Sequence, residues 1–72
     1  MQEKKISIII PTFNRAWCIQ NAIRSVKQQD YKNWELWIID DGSTDKTKKI
    51  VKKHLNDKIK YLYKKILESF HP

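Results

Sequence analysis

The 72 residues include one cysteine, one glycine and two prolines, and no apolar run approaches the ~20 residues that cross a bilayer. Each scarcity excludes something. With Cys18 alone, there can be no internal disulfide and no cysteine-based zinc site. Beside Trp17 and Ile19, in a helical pattern, Cys18 reads as a small semi-buried apolar residue with no activating group for a nucleophile. With Gly42 as the only glycine, neither Gly-x-Gly-x-x-Gly nor a Gly-Lys-Ser/Thr phosphate loop is available, which sets aside dinucleotide and P-loop chemistry. Residues 1–5 lead straight into a strand-like run, without the longer apolar region and small-residue cleavage site of a signal peptide. The expected location is cytoplasmic, with room for peripheral contact at the cytoplasmic membrane face.

What is present is enough for one small domain, residues 1–72, of a size that folds alone only marginally. The apolar share of 40%, with three Trp and three Tyr, supports a core and argues against global disorder. The net charge of +7 is uneven. Residues 1–45 balance six basic against six acidic side chains, so the excess lies in residues 46–72, where nine lysines face Asp57 and Glu68. Such a block can attract phosphate or an anionic membrane. Without interleaved arginines or stacking aromatics it reads more simply as solvated helix surface, and nucleic acid is disfavoured as a partner.

Residues 6–10, four of them isoleucine, read as a buried strand that Pro11 ends by removing a ladder donor. Over residues 16–29, Ile19, Ala22, Ile23 and Val26 recur at helical spacing, with Asn14 as the expected N-cap. Residues 34–39 form a second strand, and the turn of Asp41, Gly42, Ser43, Thr44 and Asp45 opens a second helix over 45–54. That helix sets Thr47, Ile50, Val51 and Leu55 toward the core and ends near His54, where an imidazolium suits the helix dipole. Residues 58–63 alternate as a third strand, and 64–72 allow a short helix. The order β-α-β-α-β predicts an α/β fold, a partial three-layer Rossmann-like parallel sheet with right-handed crossovers and both helices on one face. Both faces of the strands carry large apolar residues, but two helices cover only one. Self-association or a completing polypeptide is therefore expected.

The two strand-end turns lie about 30 residues apart, one strand–helix–strand unit, and emerge at the edge where open α/β sheets hold ligands. Asp40 and Asp41 can accept hydrogen bonds there, help hold a cation, or cap the turn themselves. Phe13 can stack on a base or pack under its loop, and Arg15 can meet a phosphate or remain solvated.

The run Ser7-Ile8-Ile9-Ile10-Pro11-Thr12-Phe13-Asn14-Arg15, then Ser25-Val26, then residues 35–45 around Asp40-Asp41-Gly42-Ser43, resembles the start of a family 2 glycosyltransferase. Residues 56–61 resemble the family's next strand. The likeness covers about residues 5–65 and implies a nucleotide-diphospho-sugar transferase fold. It also implies a nucleotide-binding set of Pro11, Thr12, Phe13, Arg15 and Asp41, with Phe13 against the base and Asp41 on the uracil edge of a UDP-sugar. Asp40, Gly42 and Ser43 would support the turn. The family's Asp-x-Asp metal motif has no counterpart after Asp45. A divalent cation (Mg or Mn) is therefore expected only for a complete enzyme, with no cofactor, metal ligand or catalytic residue in this chain. The resemblance thus implies a truncated domain that keeps nucleotide recognition and lacks transferase activity. Two other readings stand beside it, a basic interaction module for nucleic acid or anionic membrane and an inert remnant.

Overall fold

The computed structural model describes residues 4–64. Three strands and two helices follow in the order β1 (Ile6–Thr12), α1 (Ile19–Gln28), β2 (Trp34–Asp40), α2 (Thr47–Lys52) and β3 (Ile59–Tyr63). The strands form one parallel sheet in the order β1-β2-β3, as the alternating pattern predicts. Thr12 pairs with Asp40 and Asp40 with Tyr63, so the three strands end level with one another. The loops after β1 and β2 therefore leave the sheet at one edge.

Both crossovers step the same way across the sheet, which sets α1 and α2 on the same face. There Ile19 and Ile23 of α1 and Val51 of α2 pack on Trp34, Leu36 and Ile38 of β2 and Ile59 of β3. Full burial of each such side chain contributes about 1.5–3 kcal/mol. Along β2 the buried residues alternate, with Trp34, Leu36, Ile38 and Asp40 beneath the helices and Glu35, Trp37 and Ile39 turned to the other face. On that second face Ile9 is 63% and Leu62 50% exposed, and no described element covers them. At the end remote from the strand-end loops, the Lys58 ammonium sits 4.0 Å from the centroid of the Trp34 ring.

Several boundaries differ from the sequence expectation, each for a local reason. Pro11 does not end β1, which continues through Thr12. Ile6 donates its N–H to Asn33 O, and Thr12 O accepts from Asp41 N–H, so even-numbered residues of β1 bond to β2. Pro11 faces the unpaired edge, where a missing donor breaks nothing. Asn14 does not cap α1. Residues 16–18 form a turn, the helix starts at Ile19, and Cys18 stands at the N-cap without a side-chain hydrogen bond. The Cys18 and Ile19 amides both donate to Arg15 O.

The second helix is shorter than expected, and Leu55 is 41% exposed rather than in the core. Asn56 then turns the chain into β3, its Oδ1 accepting from the amides of Lys58 and Ile59 at 2.7 and 3.0 Å. His54 is not favoured as an imidazolium. Burial, then the charges of Lys27, Arg24 and Lys53, hold its pKa below the ordinary value. The helix expected over 64–72 falls, beyond Lys64, outside the described residues. No described helix is long and apolar enough to cross a membrane.

Candidate functional site

Asp40 ends β2 on its buried side and is fully enclosed. Its Oδ1 accepts the Ser43 amide at 2.9 Å, and its Oδ2 accepts the Tyr61 hydroxyl at 2.6 Å. Burial, followed by the hydrogen bond to Asp40, pushes the Tyr61 phenol well above its usual pKa, so it remains a donor. Tyr63, opposite Asp40 on β3, donates its hydroxyl to Ser43 O at 3.2 Å, while the Lys48 ammonium lies 4.9 Å from the centroid of its ring. Gly42 adopts φ 93°, a left-handed conformation that a Cβ would disfavour, and this lets the chain fold back over Asp40. Asp40, Gly42 and Ser43 therefore build the turn.

Asp41, one residue further on, differs from Asp40 in burial and in bonding. It is exposed, its amide is tied to Thr12 O at 2.8 Å, and no hydrogen bond or ion pair among the described residues engages its carboxylate. The neighbouring pair thus divides into one carboxylate consumed by the fold and one left available.

The loop after β1 lies against this turn. The amides of Asn14, Arg15 and Ala16 donate in succession to Ser43 Oγ at 2.7 Å, Thr47 Oγ1 at 3.0 Å and Asp45 Oδ2 at 3.1 Å. Asn14 Oδ1 in return accepts the amides of Thr44 and Asp45 at 2.8 and 3.3 Å. Asp45 Oδ1 also accepts the Thr47 amide at the opening of α2. Hydrogen bonding from the Thr47 side chain leads the interactions that hold the Asp45 carboxyl below the usual carboxylate range.

Between the loops is an open cleft of about 220 Å³ lined by Pro11, Thr12, Phe13, Arg15 and Asp41. Thr12 is buried at its floor, whereas Phe13 is 46% exposed at its rim. The Arg15 guanidinium donates to Phe13 O at 3.3 Å, keeping a cation at the same rim. The cleft therefore offers an aromatic face, a cation and a free carboxylate within one small space.

No sequence motif marks Tyr61 and Tyr63, although both bond to this turn. Their signal is two phenols on one face of β3, at the strand end that the topology sets beside Asp40. Among the described residues no three His, Cys, Asp or Glu side chains come together as a metal cage. Asp40 and Asp45 have both carboxylate oxygens engaged, leaving Asp41 alone, so these residues do not fit a divalent cation. The lysines of α2, by contrast, are spread over an exposed surface.

Known proteins share this segment. Over 59 residues the chain is 44% identical to GalNAc(5)-diNAcBac-PP-undecaprenol beta-1,3-glucosyltransferase of Campylobacter jejuni, a match covering 79% of this chain and 19% of that protein. It is 49% identical over 67 residues to an uncharacterized glycosyltransferase of Rickettsia conorii, covering 90% of this chain and 11% of that protein. The chain thus spans less than a fifth of the length of these relatives. The model of the family Glycosyl transferase family 2 matches residues 7–67, which include both strand-end loops, β2, β3 and all of β1 but its first residue. The chain belongs to glycosyl transferase family 2.

Proposed function

We propose that the cleft receives the nucleotide of a nucleotide-diphospho-sugar, of the UDP type, and that this chain supplies donor recognition to a sugar transfer. The observation that carries the proposal is the convergence of Phe13, Arg15 and Asp41 on one cleft, with the Asp41 carboxylate free. A base needs an apolar face and, for uracil, an acceptor for its ring N–H, while a diphosphate needs a cation. Phe13 meets the base, Asp41 accepts from the ring N–H, and Arg15 approaches the phosphates. Pro11 and Thr12 line the cleft beside them. No step of this proposal passes through a divalent cation, because the described residues do not fit one. The uncovered sheet face, with Ile9 and Leu62 exposed, favours self-association or a completing polypeptide as the further partner. The exposed α2 lysines favour peripheral contact with an anionic membrane face.

Titration of the purified chain with UDP, followed by amide chemical shifts, tests the reading. Saturable shifts are expected at Phe13 and Asp41. Asp41→Ala weakens binding by about tenfold to a hundredfold, the range of one charged hydrogen bond. Phe13→Ala weakens it by about threefold to tenfold. Absence of shifts at millimolar UDP, or equal binding by Asp41→Ala, would reject it.

A further inference from the structure

Asn14 is, among the described residues, the one non-glycine residue with positive φ, at 50°. An L-residue in this left-handed region is disfavoured by about 1–2 kcal/mol, least for Asn and Asp. The conformation separates Asn14 from its neighbours. Phe13 and Arg15 line the cleft, whereas Asn14 reaches into the opposite loop. Three hydrogen bonds join Asn14 to residues 43–45: its amide donates to Ser43 Oγ, and its Oδ1 accepts from the Thr44 and Asp45 amides. Ser43 is itself locked onto Asp40, and Asp40 onto Tyr61, so the chain of bonds runs from the loop of β1 to β3.

We infer that Asn14 is a positioning residue, a clasp that sets the spacing between Phe13 and Arg15 on one wall of the cleft and Asp41 on the other. It does not touch the nucleotide. Through its side-chain acceptor it holds the two loops at the separation that lets aromatic, cation and carboxylate act on one ligand. Small displacements of such groups are costly to recognition. The inference rests on the nucleotide reading of the cleft.

Two substitutions separate the side chain from the backbone. Asn14→Gly keeps the left-handed conformation accessible and removes the two acceptor bonds. Asn14→Asp keeps both the conformation and an acceptor. UDP titration and native-state amide exchange are measured on the 72-residue chain and both variants, each checked for a cooperative urea transition. Asn14→Gly is expected to raise exchange at Thr44 and Asp45 by about tenfold or more while the β2 amides are unchanged, a local opening rather than global loss. Its UDP affinity falls by about tenfold, and Asn14→Asp restores both to within about threefold. Unchanged exchange at Thr44 and Asp45 in Asn14→Gly overturns the clasp. Raised exchange with wild-type affinity overturns its positioning role. If UDP does not bind the wild-type chain, the nucleotide reading falls, while the exchange result still decides whether the clasp exists.

Discussion

Asp40 and Asp41 are adjacent and chemically identical, and the fold gives them opposite uses. Asp40 is enclosed and accepts from Ser43 and Tyr61, so removing a donor leaves a buried carboxylate oxygen unsatisfied. Tyr61→Phe should destabilise the chain by about 1–3 kcal/mol. Asp41→Ala, at an exposed position, should change stability by less than about 0.5 kcal/mol. Urea denaturation of both variants checks the contrast; a comparable loss in Asp41→Ala would contradict the division of roles. His54 gives a second residue-scale prediction. Its native pKa is lowered, so the unfolded chain binds the proton more readily. The associated stability is present above the unfolded pKa of about 6.5 and is lost as pH falls through the lower native value. Lys27 and Arg24 from α1 and Lys53 beside it all oppose protonation. The urea midpoint should therefore fall below about pH 6.5 in the wild-type chain and be flatter in His54→Gln. Parallel pH profiles would exclude His54 as the source.

At the scale of elements, neither helix is long enough to be stable alone, and α2 has six residues. They persist because Ile19, Ile23 and Val51 are buried on the sheet, so the covered face carries most of the stability. Ile38→Ala, beneath the helices, should cost about 2–5 kcal/mol. Ile9→Ala, on the open face and 63% exposed, should cost less than about 1 kcal/mol. Chemical denaturation measures both. Similar losses would mean that the second face is covered in solution.

For the whole molecule, that open face decides behaviour at high concentration. Ile9 lies beside Trp37 in the sheet, and Ile39 beside Leu62, with Lys60 next to Trp37 and the Lys5–Glu35 ion pair as charged interruptions. Contiguous apolar surface of this kind promotes association. Sedimentation velocity should show a concentration-dependent rise in mass for the wild-type chain and a reduced one for Ile9→Lys and Leu62→Lys. A monomer at all concentrations would show that the face tolerates water.

The α/β order, the parallel sheet and the edge that carries both loops are legible in the amino-acid sequence. Periodicity and strand-end turns are local signals, and right-handed crossovers leave few ways to assemble them. The sequence also marks Pro11, Thr12, Phe13, Arg15 and Asp41 as a group, through the resemblance. The assembled fold alone settles which aspartate is buried, because alternation along β2 and the reach of Tyr61 from β3 depend on register. It also moved Asn14 from the expected cap of α1 to the opposite loop, 30 residues away. Pro11 could remain in β1 because its face of the strand is unpaired, a fact about neighbours that the residue itself does not carry. Local sequence specifies the elements; contacts between elements distant in sequence assign each side chain its partner.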